Sequence, residues 1–120
     1  MDFRTDQPIW LQAVELLRSD LVAGRLKPGE KLPGVRDLAL RFGINPNTAA
    51  RIYRELEDAG LSTARRGLGV FVTEDEEKIA RLRRQLADEA VKGLFARLES
   101  LGYDRRQALT MIENIGGQDD

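Results

Sequence analysis

Asn47, Thr48, Arg51 and Arg54 stand at spacings that an α-helix brings to one side, directly behind Asn45 and Pro46. Amides, a hydroxyl and guanidinium groups in that order are the donors and acceptors that read base edges and hold phosphates. Arg36 lies upstream of the cluster, and Arg65, Arg66 and Gly67 lie downstream of it. The chain has no cysteine and no histidine, which removes thiol nucleophiles, disulfides, imidazole bases and the usual zinc ligands. Catalysis would have to rest on carboxylates, lysines or hydroxyls. The available carboxylate groupings, Glu55 with Asp58 and the run from Glu74 to Glu77, fall where helix surfaces and caps carry charge. No glycine-rich nucleotide loop stands between a strand and a helix. The residues therefore point to binding chemistry, to no enzyme, and to no metal or cofactor.

The elements that must present these groups are short. A chain of 120 residues suits one modest core with a small appendage. Charged residues make up 32% of it, the formal net charge is -1, and no apolar run approaches a membrane span or a signal peptide. A soluble, cytoplasmic protein without a membrane partner is the expectation. Residues 31–73 hold seven Lys/Arg against four Asp/Glu, while 74–120 hold eight against eleven, so the basic residues gather around the polar cluster.

Trp10, Val14, Leu17 and Leu21 recur as one buried helical stripe, with Asp6 expected as N-cap, Pro8 in the first turn and Gly24 as the stop. The segment LKPGEKLPG has two prolines and two glycines in nine residues and predicts a tight loop or a very short strand. A second helix should begin at Gly34 or Val35, carry Leu38, Ala39 and Phe42 inward and end at Gly43. A third opens with Asn45 as N-cap and Pro46 in the first turn, buries Ala49, Ile52, Tyr53 and Leu56, and closes at Gly60. The period then changes to that of strands: Leu61 to Ala64 and Val70 to Val72 flank a glycine-bounded turn, giving a hairpin with arginines at its tip. A long helical pattern follows through Ile79, Leu82, Leu86, Ala90, Leu94 and Leu98, is broken at Gly102, and gives way to a short helix capped by Asp104 with Ala108, Met111, Ile112 and Ile115 inside.

Two helices separated by Gly43 and Ile44 have the spacing of a helix-turn-helix, and a hairpin behind them makes a winged helix. The fold class expected is mainly α with a small β-hairpin: a winged helix-turn-helix domain over 1–73, a helical dimerisation segment over 74–115, and a disordered tail over 116–120. In such a domain the third helix enters the major groove and the wing lies beside it. The alternative use of the fold is a protein-interaction module indifferent to DNA.

The succession PIWLQ, GRLKPGEKLPGVRDLALRFGINPNTAARIYRELEDAGL and RRGLGVFV resembles the winged-helix domain of GntR-family bacterial transcriptional regulators over residues 8 to 73. The resemblance implies that Arg36 contacts the DNA backbone or a guanine, that Asn45, Asn47, Thr48 and Arg51 meet bases and phosphates, and that Arg66 and Gly67 reach the minor groove. Arg54 and Arg65 join them as phosphate anchors on the residue reading. Trp10 stands where the family more often has tyrosine, Gly34 where it has serine, and Pro46 where a polar or basic residue is common. The last departure removes one side chain from base contact.

Only 47 residues follow Thr73, which is similar to the YtrA-type subfamily, whose short helical tail serves dimerisation and whose members often regulate transporter operons. Independently, Ile79, Leu82, Leu86, Leu94, Leu98, Ala108, Ile112 and Ile115 form a stripe too apolar for an isolated helical hairpin to leave in water. A homodimer binding a palindromic operator, acting as a repressor, is the resulting expectation, the alternative being that these helices fold back on their own winged domain. A small-molecule effector acting where the long helix meets the winged domain is a further expectation, although no motif points to a particular ligand.

Overall fold

The computed structural model describes Phe3 and residues 5–117. The order of elements is α1 (Ile9–Val22), α2 (Val35–Phe42), α3 (Pro46–Asp58), β1 (Ser62–Arg65), β2 (Gly69–Val72), α4 (Glu76–Ser100) and α5 (Arg105–Gly117). The chain forms two compact units, Met1–Arg83 and Arg84–Asp120.

In the first unit, α1 and α2 both pack on α3. Ala13, Val14, Leu17 and Leu21 of α1 meet Leu38, Ala39 and Phe42 of α2 and Ala49, Ile52, Tyr53 and Leu56 of α3 in one core, with Ile52 wholly buried at its centre. These are the apolar positions that helical periodicity selects, and burying them supplies most of the stability of so small a unit. Trp10 departs from the expected stripe, because it is only half-buried. The N-cap of α1 is Pro8 with no side-chain hydrogen bond, not Asp6. Proline's fixed φ sets the helix entry directly, so the first turn begins later than an Asp6 cap would require.

The helix-turn-helix is closed by Gly43 in the left-handed region, φ 66°. Its N–H and that of Ile44 bond to the carbonyls of Leu40 and Ala39 at 3.3 and 2.9 Å. Any residue with a Cβ would pay strain there, so the glycine fixes how sharply α3 leaves α2.

Strands β1 and β2 pair antiparallel from Ser62 with Val72 to Arg65 with Gly69. The expected short strand in the proline-glycine segment exists as a third edge: Leu32 N–H donates to the Val70 carbonyl at 2.8 Å, Val72 N–H donates to the Glu30 carbonyl at 2.8 Å, and Lys31 bridges Phe71. Arg65 is the last residue of β1, so the turn itself is Arg66 to Leu68, corrected from a tip that included both arginines.

Two boundaries differ from expectation. The units divide inside α4, between Arg83 and Arg84, not after Thr73. Leu82, expected at a dimer seam, is 6% exposed and is a buried residue of the first unit, and Ile79 there is half-buried. Gly116 and Gly117 end α5 and are not part of a disordered tail; residues 118–120 lie outside the described residues.

The second unit contains the rest of α4 and α5. Asp104 caps α5 reciprocally: its carboxylate accepts the Gln107 N–H at 2.8 Å while its own N–H donates to Gln107 Oε1 at 2.9 Å. Ala108 is buried within the single chain, but Val91, Leu94, Leu101, Leu109, Ile112 and Ile115 stay exposed. Leu86 and Leu98 are half-buried. Among the described residues, no helix is long and apolar enough to cross a membrane.

Candidate nucleic-acid interface

The N-terminus of α3 is built by Asn45, whose side-chain oxygen accepts the Asn47 N–H at 2.7 Å. Pro46 follows at the first helical position, where its missing N–H costs nothing. The amide NH2 of Asn45 and the whole side chain of Asn47 remain at the surface, both residues being exposed, with Thr48 half-buried behind them. Arg51 and Arg54 continue this face one and two turns further and are exposed. Beyond Arg54 the helix turns acidic at Glu55, Glu57 and Asp58, so only its first turns can face a polyanion.

Two arginines of the set are held by aromatic rings. The guanidinium carbon of Arg51 lies 3.9 Å from the Trp10 ring centroid, across from α1. That of Arg65 lies 4.8 Å from the Phe71 ring. Arg36, Arg51, Arg54, Arg65 and Arg66 make no ion pair with any described residue. Glu30, in the loop ahead of Arg36, accepts the Lys27 N–H at 2.9 Å. Guanidinium groups without a carboxylate partner are favourable to a bound anion.

Arg36 occupies the first turn of α2 and is placed by the loop ahead of it. The Tyr53 hydroxyl of α3 donates to the Pro33 carbonyl, tying the recognition helix to the turn that leads into Arg36. Burial pushes the Tyr53 hydroxyl up to about 12, with Arg41 opposing and Asp37 adding to the shift. The phenol is therefore a fixed donor at neutral pH.

On the wing, cross-strand partners share a face. Arg65 pairs with Gly69, and a Cβ on Gly69 would come within 2.9 Å of Lys31 Cε. Lys31 thus lies on the same face as Arg65, both exposed, while Ser62 and Val72 on the other face are buried. Gly67 in the turn has φ +77° and nothing within 4 Å of a would-be Cβ, leaving Arg66 on an open tip.

Sequence reasoning missed three residues of this interface. The sequence gives Trp10 and Tyr53 as core and Lys31 as part of a tight loop or a very short strand. Lys31 carried a signal, since it faces a short strand whose alternation sets it opposite Phe71.

A helix-turn-helix with a free polar face, an arginine on the second helix and a cationic wing defines the class of winged-helix nucleic-acid readers. Residues 10–72 match the family described as bacterial regulatory proteins, gntR family. The chain belongs to the GntR family of bacterial transcriptional regulators and is of the YtrA type. It is 36% identical over 113 residues to the HTH-type transcriptional regulator YhcF of Bacillus subtilis, covering 94% of this chain and 93% of that one. It is 33% identical to the HTH-type transcriptional repressor YtrA of the same organism, covering 82% and 81%. Among solved structures, a GntR family transcriptional regulator from Listeria monocytogenes superposes with a TM-score of 0.86 at 29% identity, covering 93% of this chain and 98% of that one. The DNA-binding domain of AraR in complex with operator ORR3 superposes with a TM-score of 0.54 at 27% identity, over 61% of this chain and 86% of that one.

Proposed function

We propose that this protein is a cytoplasmic transcriptional repressor that binds a palindromic operator in double-stranded DNA as a homodimer. The observation that carries the reading is the unpaired polar face at the start of α3, flanked by Arg36 and by the Lys31, Arg65 and Arg66 wing. Asn47, Thr48 and Arg51 contact base edges in the major groove, with the Asn45 amide beside them. Arg36, Arg54 and Arg65 anchor phosphates. Arg66 and Gly67 reach the minor groove, where the open turn lets the backbone approach closely. The operator-bound AraR domain supports this use of the fold.

Dimerisation is supported by the second unit, whose exposed Leu94, Ile112 and Ile115, with the half-buried Leu86 and Leu98, exceed what two helices can cover themselves. Leu82 is buried within the first unit and Ala108 within the second, so neither lies on that exposed surface. A two-fold dimer sets two recognition helices about 34 Å apart, matching half-sites one helical turn apart. Repression is the role of the YtrA relative, and transporter genes are the candidate targets that the subfamily resemblance implies.

The test is selection from a randomised duplex library, with the affinity of the selected sequence followed against salt. An enriched inverted repeat and a steep fall of affinity with salt support the reading. No enrichment with a flat salt response overturns it and leaves a protein-interaction module.

A further inference from the structure

We infer that Trp10 is a positioning residue for base readout: its ring holds the Arg51 guanidinium flat, so that the N–H edge meets one base pair in a fixed orientation. This rests on the DNA-binding reading above. Of the two arginines that α3 exposes, Arg51 alone is stacked, 3.9 Å from the Trp10 centroid, while no ring contact or ion pair holds Arg54. At that distance an edge-on approach would drive a guanidinium nitrogen into the ring, so the group lies face to face. A stacked guanidinium uses its π face on the ring and keeps its in-plane donors free, the edge that a guanine O6 and N7 accept from. The platform is rigid because Ala13, Val14 and Leu17, the next turns of α1, are buried in the core and α1 packs on α3. Trp10 itself is only half-buried, which fits a ring whose outer surface is covered by another side chain instead of by the core.

The physical consequence is selective. A phosphate contact tolerates a mobile guanidinium, whereas a bidentate base contact demands one orientation, and the stack confers that orientation before DNA arrives. Indole offers the strongest π face among the side chains, so tryptophan at this position holds a cation more firmly than tyrosine would.

The experiment is a double-mutant cycle in the full chain: wild type, Trp10→Leu, Arg51→Ala and the double variant. Each is titrated against the duplex that the wild type selects and against its single-base substitutions, with thermal melts to confirm folding. Trp10→Leu is expected to lose about tenfold in affinity for the selected duplex, with base preference flattened at the same pair that Arg51→Ala flattens. In the Arg51→Ala background it should cost less than about twofold. Trp10→Tyr keeps a smaller ring face and replaces Trp10→Leu in the cycle if that variant does not fold. Its expected loss is about threefold, at that pair and only when Arg51 is present. An equal loss with and without Arg51, or an unchanged base preference, overturns the inference while the selected motif keeps the DNA reading intact. Failure of the wild type to select any sequence overturns both.

Discussion

Asn45 serves the fold and the site through different atoms, and a charge substitution separates the two. Its side-chain oxygen caps α3 on the Asn47 N–H at 2.7 Å, and its exposed position puts whatever else it carries at the proposed DNA face. Asn45→Ala removes the cap and should destabilise the protein by about 1 kcal/mol. In a unit of this size that lowers the melting temperature by about 4 to 8 °C. Asn45→Asp keeps an accepting oxygen and adds a negative charge at a helix N-terminus, which gains about 0.3 to 1 kcal/mol from the helix dipole and should raise the melting point. The same charge facing a phosphate about 4 Å away costs about 1 kcal/mol even at the dielectric of water, a loss of roughly fivefold in affinity per half-site. Where the interface excludes water the loss is larger. Thermal melting followed by circular dichroism reads the first effect and fluorescence polarisation on the selected duplex the second. Asn45→Ala lowers both readings; Asn45→Asp should move them in opposite directions. An Asn45→Asp variant that melts higher yet binds as tightly as wild type would refute the placement of this helix end against DNA.

Arg54→Ala should weaken binding to all sequences alike and reduce the slope of log affinity against log salt by about one, while Arg51→Ala should cost about 1 to 3 kcal/mol and relax preference at one base pair. Titrations at several salt concentrations check both, and equal losses on all sequences for both variants would contradict the division of roles. Tyr53→Phe should cost about 1 kcal/mol by leaving the Pro33 carbonyl without its donor. Burial holds the Tyr53 hydroxyl at about 12, above its ordinary value of 10.0, so the stability advantage of Tyr53 is complete below pH 10 and is lost as pH rises toward 12. Denaturant melts of both proteins should therefore converge across that window. Leu94→Glu places a charge in the exposed apolar surface of the second unit and should shift sedimentation to the monomer while leaving the melting of the first unit unchanged.

The parts legible in the sequence are those fixed by neighbours in the chain. Asn45 with Pro46, Gly43 and Asp104 announce helix ends through local chemistry, and each stands where that chemistry puts it. The paired strands follow from the change of period after Gly60. Contacts between distant residues were not legible: Trp10 with Arg51, and Tyr53 with Pro33, depend on how α1, α2 and α3 cross, which no local spacing encodes. The unit boundary was misplaced for a related reason. Apolar residues recur along α4 without interruption, so periodicity marks an inward face without saying what covers it, and Leu82 is buried where a partner surface was expected. Asp6 failed as a cap because Asp and Pro both mark helix starts, and the proline's backbone constraint prevailed.

The hydrogen bonds that tie residues 29–32 to β2 make the base of the wing part of the same body as the loop leading into α2, whereas the Arg66 to Leu68 turn has open space around Gly67. Substitutions of the exposed Arg66 and Leu68 therefore cost little in folding, whereas a side chain at Gly67, φ +77°, would be strained, and changes at residues 29–32 would disturb the pairing with β2. The part of the surface proposed to meet the flanks of an operator can thus change with little effect on the fold, while the part proposed to meet its central bases is tied to the core through α3.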